Sequence, residues 1–225
     1  MTTRGPGRPK ANERRDLRAE LLATSRELLN TEGPGALSLR EVARRAGYTH
    51  QAPYHYFENR EALLAALVAD GFRELADQLG AANDRAETEG VSVAVEASGN
   101  AYVGFALTNP GVFRIMFRPD MCDPSAFPTV LEESARARAE LGRLARIAHG
   151  QHVSPEREIL LWAHVHGLAS LFLDGALAID YPTTEARLAY ARTLNRLAVP
   201  MLLMGLPAPA VTADFATAKP GSDAI

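Results

Sequence analysis

The chain lacks most of what structural sulfur chemistry would need. Its single cysteine, Cys122, excludes an intramolecular disulfide and any multi-cysteine zinc site. Long apolar runs are missing too. The most apolar stretch, 159–173, is too short to span a bilayer and carries His164 and His166. The N-terminal MTTRGPGRPK is basic without an apolar segment behind it, so it is not expected to be a secretory leader. These absences point to a reducing, cytoplasmic setting with no membrane partner. Lysine is scarce, Lys10 and Lys219 being the only two of 24 basic residues, which reads first as composition bias. No stretch alternates polar and apolar residues in strand fashion, and no internal repeat stands out. Catalytic patterns are absent: there is no Gly-rich phosphate loop after a strand, no G-x-S-x-G and no H-E-x-x-H. The chain is therefore expected not to be an enzyme and to carry no cofactor. A metal is not expected either. His164 and His166 are two apart, so on a helix they diverge by about 200°. His149 and His152 straddle Gly150 at a helix end.

What is present is an ordinary globular chain with a lopsided charge. At 47% hydrophobic over 225 residues, it can bury one large core or two small ones, which excludes wholesale disorder. The net charge of −3 hides an asymmetry. Residues 1–60 hold 11 basic against 7 acidic side chains, whereas residues 61–225 hold 13 against 20. A basic head on an acidic body suggests a nucleic-acid module attached to something else.

The periodicity is helical from Asn12 onward. Leu17, Leu21, Ser25 and Leu28 share a stripe that ends at Gly33-Pro34-Gly35. Ser38 and Glu41 fit a capping box opening a short helix that ends near Gly47. Thr49 is placed to cap a second short helix reaching about Phe57. Asn59 is placed to cap a longer one with a broad apolar face from Leu63 to Leu79. Ala81–Gly90 reads as a connection. Further helices are expected over Val91–Thr108, Gly111–Phe117 and Pro128–Ala148. One more should run from Pro155, capped by Ser154, to about Ile179, and a last one from Thr183 or Thr184 to about Gly205. The fold expected is all-α with about nine helices. A basic arm at 1–11 precedes a head at 12–58, a larger helical body at 59–205 and a disordered tail at 206–225.

Two short helices joined by a Gly turn, with one helix before and one after, form a helix-turn-helix pattern. Val42 and Ala46 can pack against Pro53 and Phe57, leaving His50, Gln51, Tyr54, His55 and Tyr56 for a groove. The stretch Leu37–Leu64, LSLREVARRAGYTHQAPYHYFENREALL, resembles the DNA-binding signature of the TetR family of bacterial transcriptional regulators. Tyr102–Phe117, YVGFALTNPGVFRIMF, and Trp162–Gly175, WAHVHGLASLFLDG, resemble a subgroup of that family's ligand-binding domains bearing a Trp…His-Gly motif. The resemblance covers about residues 10–205.

The resemblance implies site residues. Ser38 and Arg40 match positions that touch phosphate or a base. Thr49, His50, Gln51 and Ala52 fall at the recognition helix, the last three on base-reading positions. Tyr54 and Tyr56 match phosphate clamps, and Arg60 a phosphate contact opening the connector helix. Pro53 departs from the family's usual Leu, Ile or Val. It is tolerable within a first helical turn and forfeits a bond at the fourth position. Arg8 and Lys10 in the arm resemble a minor-groove hook, with a solvated basic tail as the alternative. In the body, Phe105, Phe113, Met116, Phe117, Trp162, His166 and Phe172 are candidates for an apolar ligand cavity, each equally compatible with plain core. His166 reads either as a core histidine at a domain or subunit interface or as a polar anchor in that cavity. The function implied is a ligand-responsive regulator, taken as a repressor. It would bind a palindromic double-stranded operator as a homodimer through its last two helices and be released by a small-molecule effector. Two competing readings are an architectural DNA binder without effector, and a helical carrier or enzyme with a vestigial head.

Overall fold

A computed structural model describes residues 11–177 and 179–204 of the chain. The arm with Arg8 and Lys10, the proposed tail and Gly205 lie outside the described residues. Eight α-helices follow one another: α1 (Ala11–Glu32), α2 (Leu39–Arg45), α3 (Arg60–Glu89), α4 (Val91–Thr108), α5 (Pro110–Met116), α6 (Pro128–His149), α7 (Pro155–Leu173) and α8 (Thr184–Leu203). No strand occurs among the described residues.

The short-range chemistry of the sequence explains most boundaries. Ser38 Oγ accepts the Glu41 N–H at 3.1 Å, Asn59 Oδ1 the Ala62 N–H at 2.8 Å and Thr183 Oγ1 the Ala186 N–H at 3.1 Å, so α2, α3 and α8 start where side-chain caps stand. The capping box at α2 is only half made. The Glu41 carboxylate turns to the Arg44 and Arg45 guanidinium groups instead of reaching back, and these hold it down to about 2. Ser154 precedes α7 without capping it, its hydroxyl bonding the Glu156 carboxylate.

Three expected helix extents are corrected. The second motif helix, expected over Thr49–Phe57, is a 3-10 segment at Ala52–His55, and the eight α-helices are close to the expected count of about nine. Pro53 is the cause of the 3-10 geometry. It has no N–H to give, and the local bonds close the tighter i→i+3 way, Ala52 N–H to Thr49 O and Tyr54 N–H to Gln51 O. The connection expected at Ala81–Gly90 is the end of α3, which runs 30 residues. Ala82 and Asn83 are buried there, Asn83 Nδ2 donating to Glu140 O of α6 at 3.0 Å. α7 stops at Leu173 rather than near Ile179, and Gly175 follows in the left-handed region at φ 90°. α8 ends at Leu203.

One apolar core runs from α1 and α2 through α3 to α5 and α6, including Leu21, Leu28, Val42, Phe57, Leu63, Phe105 and Ile115. Within it Ser25, buried on the α1 stripe, is satisfied by donating to Leu21 O at 2.7 Å. In the body, α4 is central, packing against α3, α6, α7 and α8, while α3 also lies along α6.

The head meets the body at one corner. Arg26 Nη1 of α1 reaches Glu74 Oε2 of α3 at 2.7 Å and Asn109 Oδ1, between α4 and α5, at 2.8 Å. Asn30 Oδ1 accepts the Gly111 N–H at 2.8 Å. A Cβ at Gly111 would lie 2.4 Å from the Leu29 backbone, so only glycine permits α1 and α5 to approach this closely.

Candidate nucleic-acid interface and apolar cavity

The head presents its polar residues on a firm base. Val42 and Phe57 are fully inside, Pro53 is buried beside them, and Gly47 makes the turn at φ 75°. Above this base Thr49, His50, Gln51, Tyr54 and His55 are all exposed, Tyr54 at 52%. Tyr56 and Ala52 are half-buried, Tyr56 packing against the core. Ser38 and Arg40 are exposed at the start of α2, beside the turn. The 3-10 segment thus offers a short polar ridge carried by buried neighbours.

The arginines divide into two groups. Arg44 is bound to Glu41, and Arg45 to Glu41 and Glu32. Arg40 has no hydrogen bond or ion pair among the described residues and is open to a phosphate. Arg60 is exposed, but its guanidinium donates to Leu37 O at 2.8 Å and Pro34 O at 2.6 Å. It ties the start of α3 to the loop before α2, and its remaining N–H groups are what it can offer DNA.

In the body a cavity of about 380 Å³ lies among α3, α4, α6, α7 and α8. Of the seven expected cavity residues, the structure brings Phe117 and Trp162 to its wall. Phe105 and Phe172 are fully buried core residues, and Phe113 and Met116 pack inside the core at α5. His166 stands behind the wall, within a ring of aromatic side chains. Its ring centroid is 4.9 Å from Phe117, 5.5 Å from Phe113 and 5.9 Å from Trp162. Trp162 Nε1–H donates to the Tyr102 hydroxyl at 3.0 Å, and that oxygen lies 2.9 Å from His166 Nδ1. The Tyr102 oxygen accepts from Trp162, and its own proton is free to go to Nδ1 when the His166 proton is on Nε2. Burial pushes the Tyr102 hydroxyl up and the His166 imidazole down, both favouring the neutral forms.

The polar cavity residues that the sequence did not assign to it include Ser98, Tyr102, Ser134, Arg138, His164 and Asn195, beside the leucines of α3 and α6. His164 and Ser98 sit in apolar stretches whose inward faces only the assembled bundle defines. Cys122 is buried, and that burial, with Asp123 and Glu61 nearby, raises its thiol away from reactivity. Among the described residues no group of three or more His, Cys, Asp or Glu side chains is placed to hold a metal. No described helix is long and apolar enough to cross a membrane.

α7 and α8 leave apolar side chains outside. Leu160 and Leu171 of α7 are about half exposed, and Leu197 and Met201 of α8 are 70% and 60% exposed. Leu160, Ala163, Gly167 and Leu171 share one face by helical spacing, and all four are exposed. Leu168 turns the other way into the core, and Leu194 is half-buried against it.

Two families match separate stretches of the chain. Residues 21–67 match the family described as bacterial regulatory proteins, tetR family. Residues 95–197 match the family described as tetracyclin repressor-like, C-terminal domain. An HTH-type transcriptional regulator of Mycobacterium tuberculosis (strain ATCC 25618 / H37Rv) is 33% identical over 112 residues. The match spans only about half the length of that relative, 48%, and 48% of this chain. A solved protein of unknown function from Rhodococcus sp. RHA1 superposes with a TM-score of 0.63 at 31% identity, covering 80% of this chain and 94% of that one. The TetR family transcriptional regulator PfmR from Thermus thermophilus shares the fold, with a TM-score of 0.61 at 18% identity over 83% of this chain and 98% of its own. Matched over residues 21–67 and 95–197, the chain belongs to the TetR family of bacterial DNA-binding transcriptional regulators, which are not enzymes.

Proposed function

We propose that this protein is a repressor that binds a palindromic operator as a homodimer and is released by a small molecule held in the body. The observation that carries the reading is the polar ridge of His50, Gln51 and Tyr54, exposed on a buried base and directly joined to α3, whose Phe72, Leu75 and Leu79 line the cavity. His50 and Gln51 read base edges, Ala52 contacts a thymine methyl, and Ser38, Arg40, Thr49, Tyr54, Tyr56 and Arg60 hold phosphates. The arm, with Arg8 and Lys10, follows the minor groove.

One head covers too little DNA to define a site in a genome. Two heads related by a two-fold axis reach major grooves about 34–36 Å apart. The exposed apolar face of α7 and α8 supports pairing there as a four-helix bundle. A ligand that prefers the DNA-incompetent head spacing shifts the equilibrium, and a coupling of about 1–3 kcal/mol changes operator affinity roughly 5–150-fold. The cavity counts against an architectural binder, which needs none.

Selection of binding sites from a random DNA pool tests the reading. The expected product is a sequence with two-fold symmetry whose half-sites lie one helical turn, or a multiple of it, apart. Recovery of unrelated sequences contradicts it.

A further inference from the structure

The cavity wall narrows the chemistry of its occupant, an inference that rests on the ligand-responsive reading above. Among the described residues no carboxylate lines the cavity. Its single cation, Arg138, sits on an exposed stretch of α6, paired with Glu158 at 3.2 Å and lying 5.9 Å from the centre of the Trp162 ring. A cationic ligand would lose its water with no opposite charge to replace it. An anionic one would meet only a guanidinium already shared with a carboxylate. The acidic excess of the body is therefore not carried by the cavity wall and does not select its ligand.

Most of the wall is hydrocarbon from α3 and α6. Besides Arg138 and Ser134 of α6, the latter's hydroxyl donating to Leu131 O at 3.0 Å, the polar side chains come from α4, α7 and α8. Ser98 is 3% exposed, lines the cavity, and its hydroxyl has no hydrogen-bond partner among the described residues. That hydroxyl faces the cavity with its donor and acceptor capacity unused by the protein, so it is open to whatever binds there. Beside it, against Gly99, lies the Asn195 amide. Asn195 Nδ2 donates to Asn100 Oδ1 at 2.9 Å, and its Oδ1 is 3.2 Å from His164 Nε2. Each partner fixes one edge of the amide and leaves it hydrogen-bonding capacity to spare.

We propose that the cavity takes an uncharged, mostly apolar molecule whose single hydrogen-bonding end seats on Ser98, with the His164–Asn195 pair as its second contact. The apolar part lies against the leucines of α3 and α6. A cationic analogue is disfavoured for want of a counter-charge, and an anionic one because its only counter-charge, Arg138, is already paired with Glu158.

The protein reports on this site itself, because Trp162 is its only tryptophan and lines the cavity. Full-length protein is titrated with 1-decanol, decanoate and decylamine, which share one apolar chain and differ in head charge, following Trp162 emission. The expected result is a saturable change with 1-decanol at least about tenfold tighter than with either ion. Ser98→Ala is expected to weaken 1-decanol about threefold to tenfold with an unchanged melting curve. His164→Ala, at a half-buried site, is expected to weaken it as well. Tighter binding of decylamine or decanoate, no saturable change with 1-decanol, or full affinity in both variants overturns the proposal. Repeating the titration on DNA-bound protein separates the two readings. Release of DNA by 1-decanol supports both. Cavity binding that leaves DNA affinity unchanged upholds the ligand class and overturns the effector role.

Discussion

At the scale of single residues, Pro53 has the largest local effect. It replaces an expected helix by a 3-10 segment and, being buried, still anchors the ridge that carries Tyr54. Tyr54→Ala is expected to weaken operator binding about tenfold to a hundredfold, the scale of a hydrogen bond to a charged phosphate. The mass of the dimer should not change. Native mass measurement with a DNA titration checks both, and unchanged operator affinity refutes the clamp. His166 gives a second residue-level prediction. Burial lowers its pKa below the ordinary 6.5, so the folded state resists a proton that the unfolded chain accepts. Its stabilising share is full above the unfolded pKa and is lost as pH falls through 6.5 toward the depressed folded value. The melting temperature should drop between pH 7.5 and about pH 5.5, and His166→Gln should flatten that slope. An unchanged slope in the variant assigns the titration to another group, His149 being lowered in the same direction by burial and Arg157.

At the scale of elements, the corner between α4 and α5 joins cavity to head. Phe117, on the cavity wall, stands edge-on to Phe72 of α3 at 5.7 Å, and the other end of α5 presents Gly111 to α1. Gly111→Ala must push α1 away and is expected to destabilise the fold by roughly 1–3 kcal/mol, the usual cost of overpacking. Urea unfolding measures it. Arg26→Ala removes the link from α1 to both Glu74 and Asn109. It should leave effector binding in place while reducing the effector's ability to release DNA, read as a smaller shift of operator affinity at saturating ligand. These elements also mark where sequence reasoning reaches its limit. Caps at Ser38, Asn59 and Thr183 are legible because a side chain and a backbone N–H three residues on decide them. The end of α3 is not. Ala81–Gly90 looks like a linker until α6 buries Ala82 and Asn83. The end of α7 is hidden in the same way, because apolar residues continue past Leu173 while Gly175 breaks the path.

At the scale of the whole molecule, the head, the all-helical body and their order are legible in composition and periodicity. The cavity is not. Phe117 and Trp162 reach it, whereas Phe105 and Phe172 point into core, because five helices decide which faces converge. Ser98 and Asn195 become notable only when their burial is known. The face of α7 and α8 carries the remaining prediction. Leu197→Asp with Met201→Asp places charge where the pairing would bury it, and the dimer should fall to monomer in sedimentation, with loss of operator binding. Retention of the dimer moves the interface elsewhere.

The central claim is sequence-specific, dimeric DNA binding, and fluorescence anisotropy tests it most directly. Purified protein is titrated against labelled DNA from upstream of its own gene at two salt concentrations, with random DNA as competitor. The account predicts tight binding that survives the competitor, saturates at two chains per site and weakens linearly in log salt. Binding no tighter than to random DNA, for this site and for any site selected from a random pool, contradicts it.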